Sequence, residues 1–173
     1  MLLDSLNAYA GEGIDRRLQI SLSIFPKIVA VDNGVRDKLD KNKRVVLAFV
    51  SESDMSKSQE LAKTLKGKIK NITGMSYKVV SIKVSGILAK DSFSPTAILL
   101  TERLSPKSFN TVMDIAIRNH VLVFSPFTGD VERGATVGIM ITSRVKPYFN
   151  IRTLEASSIS INALLMNMSK RYE

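Results

Sequence analysis

A chain of 173 residues can bury roughly two-thirds of its unfolded surface in one domain, without a metal or covalent staple. Its 45% apolar and 24% charged residues are those of a globular protein, and no run approaches the about 20 apolar residues needed to cross a bilayer. The sequence contains no cysteine, which excludes disulfides, thiol catalysis, iron–sulfur clusters and cysteine zinc sites.

The net charge of +9 raises the question of nucleic acid, because phosphate binding runs on Lys and Arg. The distribution argues against it. The densest basic stretch, Arg36 to Arg44, is interrupted by Asp37 and Asp40, and Lys63, Lys66, Lys68 and Lys70 decorate an amphipathic segment as a solvated face. With 6% aromatics and no Trp, platforms for stacking bases are scarce, so no nucleic-acid partner is expected.

The first ten residues end in Ala8-Tyr9-Ala10, the small-x-small form a signal peptidase reads, and polar Gly11-Glu12-Gly13 follows. This pattern divides a signal-peptide remnant, residues 1–10, from a single domain, residues 11–173, and places the protein in the periplasm. The charged n-region and a full apolar h-region are missing.

From Ile14 to Val31, Leu18, Leu22, Phe25, Ile28 and Val29 recur at helical spacing, with Pro26 expected to kink the helix and Asn33-Gly34 to end it. A charged loop leads to Arg44–Val50, a continuous apolar run typical of a strand buried on both faces. Ser51 to Ser56 then offers N-caps for a helix carrying Leu61, Ala62 and Leu65 and closing around Gly67. Tyr77–Val84 predicts the next strand, Gly86–Ser94 its exit loop, and Thr96–Thr101 a third buried strand. Ser105-Pro106 is a cap followed by a first-turn proline, opening a helix with a buried stripe of Phe109, Val112, Met113, Ala116 and Ile117. Val121–Phe124 is the fourth strand. Ala135–Thr142 and Tyr148–Thr153 pair antiparallel about a turn near Lys146-Pro147, and a last helix presents Ile161, Leu164, Leu165, Met168 and Tyr172 on one face.

Alternating strands and helices imply parallel pairing with right-handed crossovers. The fold class is therefore α/β, a three-layer sandwich with a mostly parallel sheet and an antiparallel C-terminal strand pair, packed by N- and C-terminal helices. Ligands of such sheets collect at the carboxyl ends of the strands. Those ends place Ser51, Ser53 and Asp54, then Thr101 and Glu102, then Ser125, Thr128 and Asp130 along one rim, the candidate binding site.

Residues 120–150 hold the densest cue for a site. A buried strand emerges into a polar elbow in which Asp130, Glu132 and Arg133 lie between Gly129 and Gly134. Glu132 and Arg133 are expected to face a ligand or partner, and Gly134 to need a positive φ. Chemistry is otherwise thin. The loop after the first strand, Ser51 to Ser56, lacks the glycines of a phosphate cradle and carries two acids. His120 is the single histidine and has no Cys companions for zinc. Asp130 and Glu132 are spaced for paired carboxylates, but adjacent Arg133 makes a local ion pair the simpler account. No catalysis, metal or cofactor is expected.

In order and spacing, Phe25-Pro26, Leu65-Lys66-Gly67-Lys68, the elbow from Phe127 to Gly134, and Tyr148-Phe149-Asn150 leading to Leu164-Leu165 resemble the YfiR/HmsC-like family of small periplasmic regulators. The resemblance implies an exported, non-enzymatic α/β protein, often a homodimer, that restrains an inner-membrane signalling partner such as a diguanylate cyclase or histidine kinase. It carries Phe127, Glu132, Arg133, Gly134 and Asn150 over as site residues. The chain departs from the family in having no cysteine and in placing Ala135 where a second elbow glycine is usual. A solute-binding component of an uptake system, holding a small molecule at the strand-end rim, is the competing expectation.

Overall fold

The computed structural model describes residues 2–89 and 93–173, with side chains from residue 15 onward. The Ala8-Tyr9-Ala10 motif therefore lies outside the described side chains. Helix α1 (Leu2–Ala30) continues through Pro26, and Leu18, Leu22, Phe25, Ile28 and Val29 are buried as their spacing requires. Phe25 packs against Phe49 and Phe124, pinning the helix to the sheet. The charged loop that follows contains a short 3-10 helix, Val35–Lys38.

Strands β1 (Val45–Ser51), β3 (Ala97–Leu100) and β4 (Leu122–Phe124) are buried at every position, as the continuous apolar runs demand. With β2 (Tyr77–Lys83), β5 (Val137–Ile141), β6 (Val145–Asn150) and β7 (Lys170–Tyr172) they form a seven-stranded sheet in the order β2-β1-β3-β4-β5-β6-β7. Pairing is parallel except between β5 and β6. Helices α2 (Ser56–Lys68) and α4 (Pro106–Arg118) are the crossovers, and Ser105 caps α4 by accepting from the Ser108 N–H at 3.3 Å. This is the expected three-layer α/β sandwich. Lys27, Lys66, Lys68 and Arg118 close α1, α2 and α4, where cations complement the helix dipole, which accounts for part of the positive charge.

Four local expectations are corrected. Gly86–Ser94 is not a plain exit loop, since α3 (Val84–Leu88) forms first; residues 90–92 lie outside the described chain. The β5–β6 turn falls at Thr142–Arg144, where the Thr142 N–H donates to the Arg144 carbonyl at 3.1 Å, and Pro147 sits inside β6 opposite Ile139. Proline is tolerated there because β7 pairs only with Tyr148–Asn150, leaving one side of β6 open. The strand expected to reach Thr153 stops at Asn150, whose side chain accepts from the Thr153 N–H and starts α5 (Ile151–Ala156). The last helix is shortened to α6 (Ala163–Met168), because Ser169 turns extended and Lys170–Tyr172 adds to the sheet; Leu164 and Met168 are left exposed.

Asp40 braces the loop entering β1. It accepts from the backbone N–H groups of Asn42 and Arg44, each at 2.9 Å, and from the Arg44 guanidinium, with Lys78 at 3.4 Å. Desolvation opposes its charge, but the Arg44 and Asn42 hydrogen bonds outweigh it and hold the carboxyl at about 2. The folded value lies below the ordinary 3.8, so the stability it contributes is complete above that value and is lost as pH falls toward about 2. A melting-temperature profile should therefore fall across that window in wild type and more gently in Asp40→Asn. Equal acid limbs would remove Asp40 from the explanation.

Candidate functional site

The carboxyl ends of β1, β3 and β4 form the rim, and its first feature is a reciprocal pair of glutamates. Glu52, after β1, accepts from the Ser105 N–H and Oγ, each at 2.7 Å, and from the Ser108 hydroxyl, so it occupies the N-terminus of α4. Glu102, after β3, accepts from the N–H groups of Glu52 and Ser53 and from Ser53 Oγ at 2.8 Å. The Ser105 N–H first, then the Ser108 and Ser105 hydroxyls, hold the Glu52 carboxyl below its ordinary range. Helix starts and strand-end amides are common anion sites in this architecture, and here the protein's own carboxylates fill them. Asp54 plays the same part for Ser56 at the start of α2.

The second feature is the elbow. Asp130 is fully buried. Its Oδ2 accepts from the Ser125 hydroxyl at 2.7 Å and its Oδ1 from Arg133 at 3.0 Å, while Arg103 approaches Oδ1 at 3.7 Å. Ser125 in turn accepts from the Phe127 N–H at 3.2 Å. Arg103 donates to the Thr128 carbonyl at 2.9 Å and lies over the Phe127 ring, and Arg133 lies 4.3 Å above the centre of the Phe109 ring. Asn150 donates to the Val131 carbonyl at 2.7 Å, and the Gly134 carbonyl accepts from the Thr153 hydroxyl at 3.0 Å. Gly134 has φ +121°, the conformation that excludes most other residues, whereas Ala135 needs no glycine conformation.

Two pockets flank Phe127. One, of about 320 Å³, is lined by Asp15, Leu18, Lys57, Thr101, Glu102, Arg103 and Phe127. The other, of about 200 Å³, lies against the elbow and β5, between Arg17, Phe127, Glu132, Ile139, Ile141 and Tyr148. In the first, Lys57 pairs with Asp15 at 3.1 Å. In the second, burial first, then the neighbouring Glu132 charge and the hydrogen bond donated to it, push the Tyr148 hydroxyl up.

The expected site residues therefore separate into groups. Phe127 and Glu132 face the pockets, and Ser125 and Glu102 border them. Asp130, Arg133, Gly134 and Asn150 are brought together, but as the internal bracing of the elbow. Arg133, expected to face a partner, donates to Asp130 and lies over Phe109 while part of its side chain stays exposed. Ser51 is sealed beneath the rim with its hydroxyl unpartnered, and Ser53 is spent on Glu102. Thr101 donates its hydroxyl to the Val50 carbonyl. Sequence reasoning missed Arg17, Asp15 and Lys57, which come from helix faces remote in sequence, and Arg103, which follows the selected Glu102. His120 is a turn residue, with φ +57° and Nδ1 at 2.9 Å from the Ser157 carbonyl. Among the described residues, no group of three or more His, Asp or Glu is placed to hold a metal, and no helix is long and apolar enough to cross a membrane.

The division between bracing and lining gives a prediction. Arg133→Ala should cost about 1.5–3 kcal/mol, because it strips a charge-assisted hydrogen bond from a buried carboxylate, whereas exposed Glu132→Ala should change stability by less than about 0.5 kcal/mol. Chemical denaturation of both variants checks this, and equal midpoints would return Arg133 to the surface role.

No family model matches the chain, and no curated protein does. Solved structures do. A substrate binding protein with adhesive properties from Clostridium difficile, in its ligand-free, open structure, superposes with a TM-score of 0.57 at 15% identity, over 81% of this chain and 57% of that one. The ABC domain in complex with L-Trp from Streptococcus pneumonia gives 0.55 at 13% identity, over 83% and 61%. A conserved domain protein from Vibrio cholerae gives 0.53 at 12% identity, over 82% and 60%. The chain shares its α/β fold with these three structures. It spans about three-fifths of the length of these chains, and at such identities the likeness concerns the fold alone.

Proposed function

We propose that this protein is a non-enzymatic solute-binding protein that captures a small molecule at the carboxyl rim of its sheet. The observation that carries the reading is the placement of two concave sites on either side of Phe127, at the strand ends where ligands of open α/β sheets bind. Their linings pair apolar walls with a few charged groups, the composition of a small-molecule site. The glutamates of the rim are engaged as caps and support architecture rather than acid–base chemistry. Export to the periplasm, with processing after Ala10, belongs to the same proposal. Restraint of an inner-membrane signalling partner rests on the family resemblance, and the fold adds more weight to solute capture.

The test is a thermal-shift and calorimetric screen of amino acids, organic acids and amines, with L-tryptophan included because one similar structure holds it. A ligand present at about a hundredfold its Kd should add about 2.7 kcal/mol of stability. A screen without any saturable binding, together with retention of the protein on inner-membrane extract, would overturn solute capture in favour of the signalling partner.

A further inference from the structure

Among the described residues, Arg17 is a cation without an ion-pair partner. Its Nε donates to the Pro126 carbonyl at 2.6 Å and one Nη to the Ile139 carbonyl at 2.8 Å, which ties α1 to the elbow and to β5. Carbonyl dipoles satisfy N–H groups but supply no counter-charge. Among the described residues, no carboxylate stands within ion-pair distance of Arg17. The buried carboxylate nearby in the elbow, Asp130, is shared between Arg133 and Arg103. Burial first and the Arg103 charge second push the Arg17 pKa down, the signature of a guanidinium short of negative charge. A part-buried charge without its counter-ion is costly, and this one borders a pocket of about 200 Å³.

We infer that the elbow pocket holds the carboxylate of a small organic monoanion, with Arg17 as its counter-ion. The assignment rests on the solute-binding reading and names its ligand class. Arg17 is the group best suited to a carboxylate, since a planar guanidinium presents its N–H groups in a fork matched to two oxygens. The Tyr148 ring borders the same pocket, its hydroxyl proton bonded to Glu132. Ile139, Ile141 and Phe127 provide the apolar wall for the body of the molecule. Glu132 lines the pocket as well, and its negative charge disfavours a dianion such as phosphate while leaving room for a monoanion or a zwitterion.

The experiment is isothermal titration with a series of monocarboxylates from acetate to hydrocinnamate, and L-tryptophan, each beside its neutral carboxamide. Wild type, Arg17→Gln, Arg17→Lys and Lys57→Gln are compared, with a thermal melt to verify folding. The acids should bind and the amides should not, and Arg17→Gln should weaken acid binding roughly tenfold to a hundredfold, the worth of one charged hydrogen-bonded contact. Lys57→Gln, in the other pocket, should leave acid binding intact. Should Arg17→Gln fail to fold, Arg17→Lys decides, because it keeps the charge and loses the fork, and it should still weaken the acids selectively. Amides binding as tightly as acids, acid affinity unchanged by both Arg17 variants, or no acid binding at all overturns the assignment. Acid binding abolished by Lys57→Gln alone also overturns it while leaving solute capture at the rim intact. A screen in which no solute of any charge binds removes both.

Discussion

Asp130→Ala is expected to lower the stability of the protein by about 3–5 kcal/mol, the loss typical when one partner of a buried ionic cluster is removed. The carboxylate has no exposed surface and joins the Ser125 hydroxyl, the Arg133 guanidinium and, at longer range, Arg103. Alanine would leave a buried hydroxyl and a half-buried cation without their acceptor, at the point where β4 runs into the elbow. Asn would keep the shape and one acceptor while removing the charge, so Asp130→Asn should fall between wild type and Ala. Equilibrium urea denaturation of the two variants measures this. If Ala costs less than about 1 kcal/mol, the elbow is not held by its carboxylate and the division between bracing and lining residues fails.

Gly138→Val is expected to be similarly damaging, for a steric reason. A Cβ on Gly138 would stand 2.7 Å from the Ser125 carbonyl oxygen and 2.8 Å from a Val131 methyl. Backbone cannot withdraw as the tip of a flexible side chain can, so β5 would be forced away from the elbow that crosses it. Overpacking of this kind costs about 1–3 kcal/mol, and valine adds two methyl groups to the conflict. Gly138→Ala should show the smaller loss and Gly138→Val the larger. Because Gly138 also lines the elbow pocket, both should weaken any ligand held there. An alanine variant as stable as wild type would show that the strand and elbow separate freely.

The elements that were legible in the sequence are those whose burial is continuous or strictly periodic. The apolar runs ending at Val50, Thr101 and Phe124 are typical of strands covered on both faces, and the stripe of Phe109, Val112, Met113 and Ala116 of the inner face of a helix. The C-terminal segment was misread because Leu164, Leu165 and Met168 have helical spacing without the burial that usually accompanies it. Strand β7 has three residues, and the open side of β6, which no local pattern announces, is what selects it.

The site divides the same way. Local order was enough to mark the elbow: two glycines bracketing charged residues at the end of a buried strand, both with the positive φ that a glycine serves. It could not tell Arg133 from Glu132, neighbours in the chain whose side chains take opposite directions, one onto Phe109 and Asp130 and the other to the pocket. Nor could it find Arg17, which reaches carbonyls more than a hundred positions away in sequence. The sequence by itself determined the α/β class and the parallel core, because these follow from burial periodicity and the handedness of crossovers. Only the tertiary structure decided which charges neutralise one another and which are left over, because a charge is compensated through space, by whatever the fold brings within a few ångströms of it.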